Sequence, residues 1–567
     1  MLTAYRWQLK PSIPSDHPLY QKGLPPLIRQ LLYNRGITEP SQADVFLVAG
    51  SYLCHDPHLL PDMGKALPRI FQAILRGEHL AVYGDFDVDG ISATALLVQG
   101  LSALGAHVEP YIPHRLEEGH GLNYEALHQL AEHGVSLIIT VDCGVTDLEQ
   151  IKNMPQGMDI IITDHHLPGP ELPPALAVID PYREDSMYPF QDLAGVGVAY
   201  KLLGALYEGV GRTSELENYL DLVALGTVAD MMPLLNENRY LVTAGVQKLR
   251  CGQRPGLCEL ISQAGLPLNK LEAEHISWVL APRLNAAGRM EHALPGYQLI
   301  MTNSQDEARS LTQWLNEKNT ERQKLTASAL AQARAQVIAQ GIAPLLIARH
   351  EDYPGGILGL VANKLMDEFY HPAMVIRVGK EISHGSSRST PEFNINEAMG
   401  RCADLLLHFG GHAQATGFTL PTDNLSVFEE KLAEIARKEL AGRDMRPQID
   451  IDAQARFHEL GGSTFHFLQQ MAPFGQGNPT PIFLSHAVSV SDSRPVGANG
   501  QHLKLKLKQN NILWEAIAFG VGERTIEDGL PLDIVYTVEQ DEWNGTSRLR
   551  LNIKDFAPSG MNPISTY

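Results

Sequence analysis

Three aspartates alternate with single residues in Asp85-Phe86-Asp87-Val88-Asp89-Gly90, directly after the apolar run Leu80-Ala81-Val82-Tyr83 and Gly84. The apolar run reads as a buried strand, and Ile91-Ser92-Ala93-Thr94-Ala95-Leu96-Leu97 reads as the helix beyond the turn. Carboxylates crowded in this way repel one another unless a hard cation neutralises them. The end of a strand in an open α/β sheet is also where ligands bind. A single aspartate could instead cap the helix. A cap uses one carboxylate, and this turn has three.

The arrangement recurs along the chain. Ser136 to Val141 ends at Asp142-Cys143-Gly144, Met158 to Thr163 at Asp164-His165-His166, and Ala177 to Ile179 at Asp180-Pro181. Such ends share one edge of a parallel sheet, so carboxylates distant in sequence become neighbours. Leu225-Gly226-Thr227-Val228-Ala229-Asp230 supplies a further aspartate at a helix end. Two arginines flank the small residues of Pro282-Arg283-Leu284-Asn285-Ala286-Ala287-Gly288-Arg289, and Arg115 stands in Ile112-Pro113-His114-Arg115. The planar guanidinium fork suits phosphate oxygens, although a surface ion pair is the ordinary use of any one arginine. Gly410-Gly411-His412 reads as a turn whose N–H groups can cradle an anion, though most such turns are only turns.

The elements that must position these residues follow from periodicity and composition. The 567 residues are 44% hydrophobic and 19% charged, an ordinary globular balance long enough for several domains. No apolar run reaches the ~18 residues that span a bilayer. The first residues lack the charged-then-apolar pattern of a secretory signal. Five scattered cysteines form no CxxC pair, so a reducing, cytoplasmic setting is expected and no zinc or disulfide framework. The formal charge of −20 argues against a phosphate-backbone binder as a whole. Screening confines surface charge to roughly 10 Å, however, so a local channel is not excluded.

In chain order, residues 1–75 read as a proline-rich helical segment with no assignable chemistry. Strands alternate with helices over 76–303, the pattern of a parallel sheet. Residues 304–340 contain neither proline nor glycine and predict one long connecting helix, roughly 50 Å at 1.5 Å per residue. A second α/β unit is expected over 341–445, carrying Ser386-Ser387-Arg388-Ser389 and the Gly-Gly-His turn. Over 446–567 short strands broken by turns predict a small β-barrel. Within it, His502-Leu503-Lys504-Leu505-Lys506-Leu507-Lys508 puts leucines on one face and Lys504, Lys506 and Lys508 on the other. That strand is either a nucleic-acid contact or a solvated edge that discourages aggregation, and Trp514 and Trp543 are candidate stacking surfaces.

Gly84-Asp85-Phe86-Asp87-Val88-Asp89-Gly90, Val141-Asp142-Cys143-Gly144, Thr163-Asp164-His165-His166 and Gly226-Thr227-Val228-Ala229-Asp230 resemble, in order and spacing, the motifs of the DHH phosphoesterase family. The likeness is greatest to its single-strand-specific exonucleases and runs the whole chain. It implies an α/β multidomain fold with a parallel-sheet DHH catalytic core, a long connecting helix, a DHH-associated second α/β domain and a C-terminal oligonucleotide-binding-like barrel. It also implies two divalent cations, Mn²⁺ or Mg²⁺. Asp87, Asp89 and Asp142 would be ligands with Asp142 bridging, His165 and Asp230 would complete one shell, and Asp85 would lie near the other. Asp85, Asp164 and His166 are the expected catalytic groups, His166 through phosphate contact or proton donation if it is not simply packing. Arg115, Arg283, Asn285, Arg289, Ser386, Arg388 and His412 are the expected substrate contacts, the last three facing the metals across a cleft.

The activity implied is 5′→3′ hydrolysis of single-stranded DNA to 5′-mononucleotides in recombination and repair, by a monomer. A single-strand-binding protein and a helicase are the implied partners, with no membrane. Two other readings stay open. One is a phosphoesterase of small substrates such as pyrophosphate, short oligonucleotides or cyclic dinucleotides. The other is a non-catalytic DNA-binding scaffold.

Overall fold

The computed structural model describes residues 5–115, 117–522, 526, 529–543, 546–561 and 564–566, the side chains of 542–543, 546–547, 564 and 566 excepted. The chain divides into two units, one formed by 51–445 with 475–477, the other by 1–50, 446–474 and 478–567. The expected single segment 1–75 is therefore split near residue 50. Among the described residues no helix is long and apolar enough to cross a membrane.

The first unit opens on a five-stranded parallel sheet built from β1 (His79–Gly84), β2 (His107–Tyr111), β3 (Val135–Val141), β4 (Asp159–Thr163) and β5 (Ala177–Ile179), in the order β2-β1-β3-β4-β5. Apolar side chains cover both faces: one packs with Leu96, Leu203 and Leu225, the other with Leu127, Leu130 and Ile151. That double burial is why these strands read as continuous apolar runs. Helix α1 (Val88–Ala103) follows the acidic turn and is buried on nearly every side by α2 (Gly195–Gly209) and α3 (Leu220–Ala229).

Strand register fixes the acid positions. Gly84 lies opposite Val141, Val141 opposite Thr163, and Thr163 opposite Ile179. Asp85, Asp142, Asp164 and Asp180 each come one residue later, so four carboxylates leave the sheet in one row. The start of α2 closes onto that row. A Cβ at Gly195 would stand 2.6 Å from Asp142 Cβ and 2.9 Å from its Cα, so only glycine admits this approach.

Helix α4 (Ala281–Met290) carries the two candidate arginines, and α5 (Gln305–Gln340) is the long connector. Ser304 caps α5 by accepting from the Glu307 N–H at 3.3 Å. Its Ala308 and Leu315 belong to the first core, whereas Ala329, Ala333 and Val337 belong to the second domain's core. The helix is thus more than a spacer, because a stripe at three- and four-residue steps buries one side along its length. The second domain has the sheet order β9-β10-β8-β7-β6, from β6 (Leu346–His350), β7 (Ala373–Arg377), β8 (Ile382–Arg388), β9 (His408–His412) and β10 (Ala415–Pro421). The expected Gly-Gly-His turn is instead edge strand β9, Gly410 facing Gly417 in an antiparallel ladder, with the turn at 413–414.

In the other unit, β11 (Phe483–Val496), β12 (His502–Gln509), β13 (Ile512–Ala518), β14 (Leu532–Trp543) and β15 (Thr546–Pro558) close a barrel in the order β11-β12-β13-β15-β14 and back to β11. Leu503, Leu505 and Leu507 point into its core, and Lys506 and Lys508 are exposed. The lysine strand is no edge, since β11 and β13 flank it on both sides. Trp514 pairs with Leu507 and packs half-buried against the core, its ring 6.2 Å from Phe457. The side chain of Trp543 lies outside the described residues. Residues Arg6–Leu9, read as helical preface, form a strand between Gln448–Ile451 and Ile564–Thr566, with Trp7 fully buried and donating to Asp555 at 2.9 Å.

Two glycines of α2 separate close approach from helix propensity. Gly195→Ala must push Asp142 aside and should cost about 1–3 kcal/mol, as overpacking does. Gly197→Ala meets only Leu193 side-chain atoms at 3.4 Å or more and should be neutral or raise stability by up to about 1 kcal/mol. Urea-unfolding midpoints of the two variants decide this, and equal effects would sink it.

Candidate active site

Asp87 is the helix cap. Its Oδ1 accepts from the N–H groups of Asp89 at 2.8 Å and Gly90 at 3.1 Å. The cap and the acid cluster are thus both real, and one of the three carboxylates serves in each. Asp89 points the other way, its two oxygens accepting from Gly195 N–H at 2.7 Å and Val196 N–H at 2.9 Å at the start of α2. Val88 N–H donates to Asn285 Oδ1 at 3.2 Å, so Asn285 steadies the acidic turn from α4. Asp142 is held at φ +62°, a left-handed conformation that aspartate tolerates better than most residues.

These side chains meet. His165 Nε2 lies 3.0 Å from Asp142 Oδ1, 3.6 Å from Asp230 Oδ2 and 3.9 Å from Asp89 Oδ2. Three overlapping groups could hold a metal: Asp85 with Asp87 and Asp142, Asp89 with His165 and Asp230, and Asp142 with His165 and His166. Asp85, expected only near a cation, is itself one of three candidate ligands. Its Oδ1 is buried without a hydrogen-bond partner among the described residues.

Burial, followed by the neighbouring carboxylates, pushes these acids towards their neutral forms. Asp89 rises to about 7, Asp85 to about 8 and Asp230 to about 9, and Asp142 lies well above the ordinary range. Burial also lifts Asp180 to about 8, with Asp164 adding to it. Asp164 goes the other way. Against its burial, the His166 hydrogen bond and charge hold it at about 2, and N–H groups of Val145, His165 and His166 donate to it. His166 Nδ1 stands 2.8 Å from Asp164 Oδ1. Despite burial, that contact keeps His166 protonated up to about 9, whereas burial and His166 lower His165 to about 4. His165 is therefore a neutral ligand-type imidazole and His166 a cation.

Arginines gather near the acids. The Arg115 guanidinium lies 4.7 Å from the Phe86 ring centroid. Arg289 reaches the Gly356 carbonyl at 3.4 Å, and Arg388 donates to Ser386 Oγ at 3.1 Å and to the Ser387 carbonyl at 2.8 Å. Burial, then repulsion from Arg115 and Arg322, brings Arg289 down to about 9, with Asp87 opposing. The structure thus gathers Arg115, Arg289, Ser386 and Arg388 and adds Arg322. It leaves Arg283 out, since that side chain donates to Val279 O at 2.7 Å and Asn316 Oδ1 at 3.1 Å. His412 stays exposed at the end of β9. Lys504, Lys506 and Lys508 belong to the barrel unit, where Lys504 pairs with Glu515 at 3.1 Å.

Two site residues escaped the sequence reading. Arg322 sits in a charged helical run where nothing sets one arginine apart. His120, whose Nδ1 is 3.7 Å from Asp85 Oδ1, follows two glutamates and a glycine in a loop with no motif of its own.

Three family models match the chain: the DHH family N-terminal domain over residues 79–227, the DHHA1 domain over 336–438 and the RecJ OB domain over 451–555. The single-stranded-DNA-specific exonuclease RecJ of Bacillus subtilis is 38% identical over 545 residues, 95% of this chain and 69% of that protein. The Escherichia coli protein of the same name is 31% identical over 564 residues, covering 94% and 96%. The crystal structure of RecJ with Mn²⁺ from Thermus thermophilus superposes with a TM-score of 0.85 at 27% identity, covering 99% of this chain and 80% of that one. That protein with Mg²⁺ gives 0.79 at 26% identity, covering 99% and 79%. Sequence, domain order and fold agree: the chain belongs to the RecJ family of DHH proteins.

Proposed function

We propose that this chain is an exonuclease of single-stranded DNA, that it works from the 5′ end, and that it releases 5′-mononucleotides. The observation that carries the reading is two candidate metal-binding groups sharing the Asp142 residue's neighbourhood, set beside a cluster of arginines. The residues fit a pair of hard divalent cations. Buried carboxyls driven towards neutrality and an unpartnered Asp85 oxygen lack a counter-charge that Mn²⁺ or Mg²⁺ would supply, and the neutral His165 imidazole offers a nitrogen lone pair. Asp85, Asp87 and Asp142 would hold one, and Asp89, His165 and Asp230 the other, with Asp142 between them. Such a pair, when bound, would supply an activated water and charge stabilisation for the oxygens of an in-line phosphoryl displacement.

The chain's own groups do the rest. Asp164 orients the His166 ring, whose outer N–H can donate to a phosphate oxygen or protonate the departing one. Arg388, Arg289 and Arg115 offer charged donors, and Ser386 a hydroxyl, to a terminal phosphate, which carries more charge than an internal one. Such a pocket supports action from an end. Lys504, Lys506 and Lys508 give the strand a sequence-independent contact on the barrel. A small-substrate phosphoesterase would have no use for that barrel, and a scaffold none for a complete acid set. In this reading a helicase would supply the single strand and a single-strand-binding protein would cover it, in recombination and repair.

End-labelled single-stranded DNA, duplex DNA and pyrophosphate, each incubated with Mn²⁺ or Mg²⁺, test the function. Mononucleotides should appear from the single strand alone, and Asp89→Ala should abolish them while leaving the protein folded. Turnover near wild type in that variant, or pyrophosphate as the better substrate, would overturn the reading.

The raised acids also predict how metal-free protein responds to pH. Between pH 7 and 9 the folded chain sheds protons from Asp89, Asp85, Asp230 and His166, whose pKa values are about 7, 8, 9 and 9. The unfolded chain has already lost those protons, since ordinary Asp and His titrate near 3.9 and 6.5. The folded state therefore binds more protons, and the stability they contribute is lost as pH rises through this window. With EDTA the thermal midpoint should fall from pH 7 to 9. Mn²⁺ should restore it and release protons into the buffer. A midpoint that is flat or rising contradicts this.

Arg388→Ala tests end recognition. A charge-assisted hydrogen bond contributes about 1.5–3 kcal/mol, roughly 10- to 150-fold. The variant should lose that much kcat/KM on 5′-phosphorylated strands and much less on 5′-hydroxyl strands. An equal loss on both would make Arg388 a structural contact.

A further inference from the structure

His120 lies in the loop between β2 and β3, and the chain beside it is pinned into the sheet. The Gly121 carbonyl accepts from Tyr83 Oη at 3.0 Å, and Leu122 N–H donates to Asp147 Oδ2 at 2.8 Å. Gly121 has φ +82°, and a Cβ there would stand 2.6 Å from the Asp147 carboxylate. These contacts hold the loop beside Asp85, where the half-exposed His120 imidazole stands at the edge of the Asp85, Asp87 and Asp142 group. That ring sits edge-on to Phe86 and His166, with centroids 6.1 and 5.6 Å away.

Its Nδ1 is 3.7 Å from Asp85 Oδ1. This is too long for a hydrogen bond, and that oxygen is buried with no other hydrogen-bond partner among the described residues. Two donors bound to one divalent cation at about 2.1 Å stand roughly 3.0–4.2 Å apart, depending on the angle between their bonds. The spacings of His165 from its three carboxylates, 3.0, 3.6 and 3.9 Å, fall in that range. The His120–Asp85 separation does too.

We propose that His120 is a protein ligand of the cation held by Asp85, Asp87 and Asp142, an assignment that rests on the two-cation reading above. Each cation then has one imidazole, His165 on one and His120 on the other. A nitrogen donor moves an otherwise all-carboxylate shell away from Mg²⁺ and towards Mn²⁺.

The test is calorimetric titration of the whole chain with Mn²⁺ and with Mg²⁺, together with pulsed electron paramagnetic resonance of the Mn²⁺-loaded protein to detect directly bound nitrogens. His120→Ala and His120→Phe are compared with wild type, the phenyl ring preserving the edge contacts. Both variants should weaken one of two Mn²⁺ sites at least 10- to 100-fold. They should also lose one bound nitrogen, lose less affinity for Mg²⁺ than for Mn²⁺, and unfold without metal at the wild-type midpoint. Unchanged nitrogen coupling and Mn²⁺ affinity in both variants overturn the assignment. So does wild-type binding in His120→Phe alone, which would make the ring a packing element. If wild type itself fails to take up two Mn²⁺, the two-cation reading falls instead.

Discussion

Mutual repulsion among buried carboxylates is the constraint to which the rest of this molecule answers. Parallel register sets Asp85, Asp142, Asp164 and Asp180 in one row, and the turn after β1 adds Asp87 and Asp89. Without a counter-charge such a row can persist only where each member is neutralised or tied by donors, since isolated buried charge is costly. The molecule uses both devices. Asp164 is tied by three N–H groups and a cationic histidine, Asp89 by the start of α2 and Asp87 by its own helix. Among the candidate ligands, Asp85, Asp142 and Asp230 are left furthest in the neutral direction, so the demand for cations is concentrated on them.

The surroundings are built around that demand. Both faces of the sheet are covered by apolar side chains, which lowers the local dielectric and makes the acids more sensitive to any positive charge nearby. The glycine at the start of α2 lets a helix end close onto the row, its N–H groups donating to Asp89. Arginines from α4, α5 and β8 gather near the acids, drawn from both domains of this unit and joined by one helix whose two halves lie in different cores. Acid row and basic cluster are thus positioned by separate secondary structure.

Much of this was legible in the sequence because the relevant signals are local. A buried strand followed by Asp, repeated four times, states both the parallel sheet and the shared edge. A run without proline or glycine states the long helix to within a residue, since Ser304 and Gly341 bound it. Alternating Leu and Lys state which face of β12 is inside. What stayed hidden depends on contacts across hundreds of residues. Arg283 and Arg289 look alike in sequence, and only the position of α5 beside α4 turns the first towards Asn316. That Trp514 leans half-buried on the barrel core shows only once Leu507 is seen to face it in the ladder. His120 carries no pattern, because a loop residue is placed by what pins its neighbours. The short Arg6–Leu9 strand has no signal apart from partners more than four hundred residues away.

That last strand bears on the order in which the chain can be completed during synthesis. Arg6–Leu9 lies between Gln448–Ile451 and Ile564–Thr566, and Trp7 donates to Asp555. The unit containing the acid row is continuous from residue 51 to 445 apart from three later residues, so nearly all of it has left the ribosome before any partner of the first strand exists. Loop closure over such separations is slow, and the waiting segment exposes an unpaired strand with a tryptophan. Arg6–Leu9 is therefore translated long before it can pair, and the growing chain carries nearly all of the residues of the acid-row unit while that strand is still without a sheet.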